Sequence, residues 1–152
     1  AQILPAPDPS VPIVVGGRTD AAIRRCGLLG DGWLGIWVSP TRFAAVIEQV
    51  RCIADAVGRT DPPGFHQLNV WCGLGPDVST GRSRVAGQME ALYATPFERF
   101  ERYVPCGTPM MVAERLADYA SAGCTAFSLI VPDDEPRRAI EHVGEVASLL
   151  RA

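Results

Sequence analysis

Short apolar runs of strand type alternate with helical patterns along almost the whole of this 152-residue chain. The strand-type runs occupy residues 13–15, 33–38, 65–74 and 126–131, and a helical pattern follows each of them. Strands joined through helices pair in parallel with right-handed crossovers, so the alternation predicts an α/β fold on a parallel sheet. A complete (β/α)8 barrel takes about 250 residues. Four units therefore predict either a small open sheet or a parallel (β/α)4 half of a TIM-type barrel.

Capping residues support the boundaries of these units. A side-chain oxygen at a helix start accepts a free backbone N–H, and glycine ends helices because it adopts the left-handed conformation. The predicted starts are Thr19 or Asp20, Ser39 with Pro40, Thr108 with Pro109, and Asp133 or Asp134. The predicted ends of the first and fourth helices are Gly30 and Gly123.

The charged residues exclude several classes of function. All 14 cations are arginine, so no lysine is available for a Schiff base or a P-loop. The net charge is -3 and the basic residues do not cluster, which predicts no nucleic-acid partner. The apolar runs are far shorter than the roughly 20 residues of a spanning helix, which predicts no membrane partner.

Cysteine and histidine usage narrows the chemistry further. The five cysteines are odd in number and form no C-x-x-C pair, which predicts reduced thiols and a cytoplasmic location. With two histidines and no ligand spacing, no metal site is expected. Residues 1–10 are rich in proline and lack a signal-peptide pattern, so we interpret them as a Pro-rich linker or a cut end.

The glycine pair after the first predicted strand has two interpretations. In the first, Gly16 and Gly17 let backbone N–H groups approach a phosphate at the start of a helix, with donors from Arg18 and Thr19. In the second, the pair forms a tight turn that needs a positive φ. No G-x-G-x-x-G pattern accompanies the pair, so the residues alone favour the turn slightly.

Other polar and aromatic residues are weighed by their place on the strands. Trp37 lies near the carboxyl end of the second strand, where an aromatic ring can line a substrate pocket. Asp31 and Trp33 lie at the opposite end and are predicted to be a turn residue and a core residue. His66 is predicted to be a structural, hydrogen-bonded histidine. The acidic run 133–135 is predicted to cap a helix and meet solvent.

Three segments in order carry a resemblance to a known family. PIVVGGRTDAAIRRCGLLGDGW contains a strand ending in two glycines, an Ala/Arg-rich helix and then G-D-G-W, which is similar to the mid-chain signature of the luciferase-like monooxygenase family. SPTRFAAVIEQVRCIADAVGR resembles the next helix, and CGTPMMVAERLADYASAGCTAFSLIVP resembles the closing helix and last strand. The resemblance runs from about residue 11 to the end of the chain. Met110 and Met111 depart from it, because acidic residues are common there in the family.

The resemblance implies a fold, a cofactor and a reaction class. Members are (β/α)8 barrels that use reduced flavin or the deazaflavin F420 on small organic substrates. Residues 11–152 would be the C-terminal half of such a barrel, in a flavin- or F420-dependent oxidoreductase or monooxygenase. The cofactor would be FMN or F420, held in part by Gly16, Gly17, Arg18 and Thr19, with Trp37 in the substrate pocket. The family residues for proton chemistry fall in the missing half, so the catalytic residues are unknown.

A half barrel leaves strand edges and one sheet face uncovered. We therefore expect this chain to meet the missing barrel half, a partner chain or a second copy of itself. Two alternatives stay open at this stage. One is a non-catalytic oligomerisation or binding subunit derived from the barrel, and the other is a small flavodoxin-like domain that binds a phosphate or nucleotide at Gly16 and Gly17.

Overall fold

A computed structural model describes residues 11–151, and the linker or cut end predicted for residues 1–10 lies outside the described residues. The described residues form five α-helices: α1 (Asp20–Leu29), α2 (Pro40–Ala56), α3 (Val78–Tyr93), α4 (Pro109–Ser121) and α5 (Pro136–Leu149). The strands are β1 (Val14–Gly16), β2 (Gly32–Gly35), β3 (Gln67–Trp71), β4 (Gly73–Leu74), β5 (Cys106–Gly107) and β6 (Ala126–Ile130). Two short 3-10 helices, Phe97–Arg99 and Glu101–Tyr103, follow α3. None of the helices within 11–151 is long and apolar enough to cross a membrane.

The main sheet has four parallel strands in the order β1-β2-β3-β6. The spatial order of these four strands is therefore the same as their order along the chain. Because crossovers are right-handed, strands added in one direction place their helices on one face of the sheet. This order matches consecutive strands of a barrel and disagrees with the flavodoxin-like alternative, in which the strand order reverses. The predicted α/β class with a parallel sheet is confirmed.

The helix-covered face of the sheet holds the main core. Trp33 of β2 and Phe43 of α2 are fully buried, with ring centroids 5.3 Å apart. Leu68 and Val70 of β3 lie on the same face and pack in the same cluster. The Oη of Tyr119 in α4 donates to the Val38 carbonyl at 2.6 Å, which joins α4 to the loop after β2. The prediction of Trp33 as a core residue is confirmed.

Among the described residues, the opposite face of the sheet is covered by a helix only at its carboxyl end, where Trp71 and Ile130 pack with Val85 and Met89 of α3. Alternate residues point there, and the strand register places Asn69 of β3 beside Ser128 of β6. Ser128 is exposed, and Gln67 and Asn69 are partly buried. This polar face corresponds to the interior of a complete barrel, so the fold is a parallel (β/α)4 half of a TIM-type barrel.

The predicted third strand, 65–74, is interrupted at Cys72. The Cys72 N–H still donates to the Ile130 carbonyl at 2.9 Å, but the next two residues leave β6 and pair with β5. The N–H groups of Gly73 and Gly75 donate to the Pro105 and Gly107 carbonyls, each at 3.0 Å. The alternation of Leu68, Val70 and Cys72 with Gln67, Asn69 and Trp71 does not show such a change of partner, so this two-stranded sheet was not expected.

Two predicted helix boundaries need correction. Gly30 follows α1 but has a φ of −91° and is extended, so it is not the left-handed residue expected there. The cap of α5 is Glu135, without a side-chain hydrogen bond, because Asp133 is buried in an ion pair instead. The caps by Thr19, Ser39 and Thr108 are confirmed.

Candidate functional site

The glycine pair forms a sharp turn between β1 and α1. Gly17 has a φ of +123°, and a Cβ added there would lie 2.8 Å from the Ala22 Cβ. The Trp33 indole N–H donates to the Gly17 carbonyl at 2.8 Å and fixes the turn from below. The hydroxyl of Thr19 accepts from the Ala22 N–H at 3.3 Å. The tight-turn interpretation is confirmed, and the turn leaves Arg18 and Thr19 at the carboxyl edge of the sheet.

A cavity of about 630 Å³ lies at this edge, between the starts of α1 and α2. Its lining contains three predicted site residues, Arg18, Thr19 and Trp37, together with Val38, Ser39, Arg42 and Tyr103. Gly16 and Gly17 lead into the cavity but do not line it. The structure thus brings together residues from two separate βα turns, at the end of a parallel sheet where ligands bind in such folds.

The charges around this cavity favour an anion. Its lining contains two arginines, Arg18 and Arg42, and no acidic residue. Within residues 11–151, neither arginine lies within 4.0 Å of a carboxylate. The N-terminal ends of α1 and α2 add their partial positive charge. Guanidinium groups and free N–H groups together suit phosphate.

An aromatic cluster forms the wall beside this cavity. Trp37 packs against Tyr93 and Phe100, with ring centroids 5.1 Å and 4.9 Å away. Tyr93 continues the contact to Trp71, the last residue of β3, and accepts its indole N–H at 3.1 Å. The cluster therefore covers the carboxyl ends of β2 and β3 with flat apolar surface. Such a surface suits a planar ring system.

Trp37 itself has an unusual conformation. Its φ is +50°, in the left-handed region that residues with a Cβ seldom adopt. Its indole N–H is shielded from solvent and has no hydrogen-bond partner among the described residues. Arg18 donates to the Trp37 carbonyl at 3.4 Å and lies 6.0 Å from the ring. Strained residues and unpaired buried donors concentrate at functional sites.

Four lining residues were not predicted as site residues from the sequence: Val38, Ser39 (predicted only as a helix cap), Arg42 and Tyr103. Arg42 is the third residue after the Ser39 cap, and the start of α2 could have drawn attention to it, because helix starts at this edge of a sheet bind anions. Tyr103 belongs to the 3-10 helix that follows α3. No local sequence pattern indicates that this segment folds back to the cavity. Arg42 and Tyr103 both depend on tertiary structure for their position.

A second charged cluster lies at the carboxyl end of β6. The side chain of Asp133 is only 1% exposed and pairs with Arg138, at 2.5 Å and 3.0 Å, and with Arg84, at 3.4 Å. The hydrogen bonds from Arg138 lower the pKa of Asp133 to about 2. The expectation of a solvent-facing acidic cap was wrong for Asp133, whose charge is neutralised within the protein.

The remaining candidates are structural. The Nδ1 of His66 accepts from the Trp33 backbone N–H at 3.2 Å, and burial lowers the pKa of His66. Asp31 accepts from the Ile13 N–H at 2.7 Å, as expected of a turn residue. Burial raises the pKa of Cys26 and Cys124 to about 11, so neither is a thiolate nucleophile at neutral pH. No group of three or more possible metal ligands occurs within residues 11–151.

Comparison with other sequences gives short matches only. No family model matches the chain. An uncharacterized protein of Mycobacterium bovis and one of Mycobacterium tuberculosis are each 33% identical over 69 residues, which is 45% of this chain. The match spans only 24% of those relatives.

Comparison with solved structures covers nearly the whole chain. An F420-dependent secondary alcohol dehydrogenase bound to an F420-acetone adduct has a TM-score of 0.81 at 17% identity, over 100% of this chain and 52% of its own. An EDTA monooxygenase from Chelativorans has a TM-score of 0.68 at 17% identity, over 97% and 48%. A riboflavin lyase with modified FMN has a TM-score of 0.63 at 16% identity, over 93% and 43%.

These likenesses define the class of fold. The chain has the fold of about half of an F420- or flavin-dependent luciferase-like protein, and it spans about half the length of the solved chains that it matches. The resemblance to the luciferase-like family is confirmed at the level of the fold.

Proposed function

We propose that this chain is the C-terminal portion of a flavin- or F420-dependent oxidoreductase or monooxygenase that acts on a small organic molecule. The observation that carries the proposal is the arginine-lined, acid-free cavity at the carboxyl end of a sheet with this fold. The residues present fit the cofactor, because FMN and F420 both combine a phosphate with a planar ring system. The bound cofactor would supply the electron-transfer chemistry.

The chain's own residues would bind and orient that cofactor. Arg18 and Arg42 would neutralise the phosphate, while Thr19 and Ser39 present hydroxyls and free N–H groups at the starts of α1 and α2. Gly16 and Gly17 would shape the approach by keeping the turn free of side chains. Trp37 would place an aromatic face and an indole N–H beside the ring or the substrate, and would exclude water there.

The other half of the site would come from elsewhere. Among the described residues, the cavity lining contains no carboxylate, histidine or cysteine that could act as a general acid or base, and Tyr103 is its single titratable side chain besides the arginines. A complete site therefore needs the missing barrel half, a partner chain or a second copy. The cytoplasmic location expected from reduced thiols stays a prediction, supported by five free cysteines.

Fluorescence titration with FMN, F420 and phosphate-free riboflavin tests this assignment. The wild-type chain should bind FMN about tenfold or more tightly than riboflavin, because two guanidiniums contact the phosphate. The double variant Arg18→Ala, Arg42→Ala should lose this difference while retaining its circular dichroism spectrum. Arg24→Ala, an exposed residue on α1 outside the cavity, is the matched control and should bind as wild type does.

Two outcomes of this titration would contradict the assignment. Equal affinity for FMN and riboflavin in the wild type would remove the phosphate site. Failure to bind FMN or F420 at millimolar concentration, both alone and together with a complementary barrel half, would favour the non-catalytic subunit.

A further inference from the structure

We propose that Tyr93 donates a hydrogen bond to a carbonyl oxygen of the ring system that lies against the aromatic cluster. This inference rests on the proposed function, and it gives Tyr93 a role in ring recognition that is separate from the phosphate contacts of Arg18 and Arg42. The flavin and the deazaflavin ring both carry carbonyl oxygens, which accept such a bond.

Hydrogen bonding fixes the direction of the Tyr93 hydroxyl. The Nε1 of Trp71 lies 3.1 Å from the Tyr93 Oη. An indole N–H can only donate, so this Oη accepts the bond and its own proton points elsewhere. Within residues 11–151, no group accepts a hydrogen bond from that proton. Tyr119 differs, because its Oη donates to the Val38 carbonyl at 2.6 Å. Tyr93 therefore has a donor available for a ligand.

Aromatic packing holds the Tyr93 ring in place. Its centroid lies 5.1 Å from that of Trp37, 5.4 Å from that of Phe100 and 6.0 Å from that of Trp71. The residue is nevertheless partly exposed. Three neighbouring rings restrict rotation of the side chain, so the hydroxyl is presented with little further loss of conformational entropy on binding.

The place of Tyr93 in the fold suits a ligand contact. Trp71 is the last residue of β3 and follows Asn69 on the face that corresponds to the barrel interior. Active sites of such barrels lie at the carboxyl ends of the strands. Trp37, which contacts Tyr93, also lines the cavity that contains Arg18. One ligand that carries both a phosphate and a ring can therefore meet the arginines and Tyr93.

The backbone on either side of the aromatic cluster is strained. Within residues 11–151, Trp37 with a φ of +50° and Ala94 with a φ of +47° are the two residues other than glycine in the left-handed region. Ala94 ends α3 directly after Tyr93, and its N–H donates to the Glu90 carbonyl at 2.9 Å. Strained residues of this kind concentrate at ligand-binding sites. Both of them hold members of the cluster at the carboxyl edge of the sheet.

Titrations of the chain with FMN, riboflavin and inorganic phosphate test the inference. Tyr93→Phe retains the ring and should raise the dissociation constants for FMN and riboflavin by the same factor, about fivefold, because one hydrogen bond to the ring is lost. Binding of inorganic phosphate should not change. Leu92→Ala is the matched control: Leu92 precedes Tyr93 on α3 and is 65% exposed, so all three ligands should bind as they do to wild type.

Raman spectroscopy of bound FMN gives a second readout. A hydrogen bond lowers the stretching frequency of the carbonyl that accepts it, so this frequency should be higher in Tyr93→Phe than in wild type. Trp71→Phe keeps the Tyr93 hydroxyl but removes the donor that orients it. This variant should shift the frequency in the same direction by a smaller amount. Circular dichroism checks that both variants fold.

The contrary results are distinct. Unchanged flavin affinity or an unchanged carbonyl frequency in Tyr93→Phe would overturn the inference and leave the phosphate site standing. An equal loss of affinity for inorganic phosphate would also overturn it, because Tyr93 would then act only through the fold. Equal binding of FMN and riboflavin by the wild type would instead remove the phosphate site, while the effect of Tyr93→Phe on riboflavin would still measure the ring contact. A wild-type chain that binds no flavin would overturn both.

Discussion

Asp133 shows how one residue joins distant parts of the chain near the site. Its buried carboxylate accepts from Arg138 on α5 and from Arg84 on α3, and Arg84 also donates to the Leu74 carbonyl at 2.7 Å. Two guanidiniums on one carboxylate hold α3 and α5 in fixed positions around the carboxyl ends of β3 and β6. A carboxylate removed from solvent in this way needs both partners.

The Asp133→Asn variant should be less stable than wild type by about 1–3 kcal/mol at pH 7, because charge-assisted hydrogen bonds are lost in a buried place. The pKa of Asp133 is lowered from 3.8 to about 2 in the folded chain. Its contribution to stability is therefore complete above pH 4 and is lost as the pH falls through about 2. Urea unfolding between pH 7 and pH 2 measures this, and the two proteins should converge at the acid end. A constant difference down to pH 2 would contradict the assigned cause.

Among the elements, the short β4–β5 sheet depends on two glycines in contact. A Cβ at Gly73 would lie 2.2 Å from the carbonyl oxygen of Gly81 in α3, and a Cβ at Gly81 would lie 2.1 Å from the Gly73 oxygen. Backbone groups from a strand and a helix thus approach without any side chain between them. This contact allows α3 to lie against the small sheet and to bring Tyr93 to the aromatic cluster.

Gly73→Ala should destabilise the chain by about 2 kcal/mol or more, because the added methyl group displaces backbone rather than a flexible side chain. Gly87→Ala provides the matched control. Gly87 is an exposed residue of α3, the helix that contains Gly81, and no atom lies within 4 Å of a Cβ added there. Its replacement by alanine should be neutral or should stabilise the chain by up to about 1 kcal/mol. Thermal unfolding of the two variants measures this difference in stability. Equal melting temperatures would contradict the role assigned to the contact between Gly73 and Gly81.

The elements also show what sequence reasoning could reach. Ser39 with Pro40 and Thr108 with Pro109 marked helix starts correctly, because caps act through backbone groups within three residues. The break at Cys72 was invisible, since the alternating strand pattern continues through that residue. The pairing of Asp133 with Arg84, 49 residues away, was equally hidden. Local rules therefore predicted elements well and contacts between elements poorly.

In the candidate site too, single residues could be predicted from the sequence, whereas the contacts between them could not. Arg18 and Thr19 could be proposed because they follow a strand directly, and the structure places them in one cavity with Trp37. Arg42 and Tyr103 join that cavity only through the packing of α2 and of the turns after α3. Sequence reasoning could thus find residues from each βα turn but not the set that meets.

At the scale of the whole molecule, the four-stranded sheet has one face that helices cover along its length and one face that, among the described residues, α3 covers only at its carboxyl end. The helices α1, α2, α4 and α5 pack on the first face, which carries the core residues Leu68 and Trp33. A parallel sheet is normally covered on both faces. The stability of the isolated chain should therefore depend on association.

The melting temperature of the chain should rise with its concentration, by about 2 °C for each tenfold increase, because unfolding is then coupled to dissociation. Differential scanning calorimetry between about 5 and 500 µM measures this. A melting temperature independent of concentration would show that the partly covered face costs the single chain little.

The pairing of β4 with β5 has a consequence for how such proteins can diversify. Because the backbone at Gly75 is hydrogen-bonded to that at Gly107, the long excursion from 76 to 105 departs from the sheet and returns to it at almost the same point. A replacement of different length or composition can be grafted between these two anchors without moving the barrel strands. That excursion carries Tyr93 and Phe100, so an insertion can change the aromatic wall of the proposed site while the scaffold stays the same.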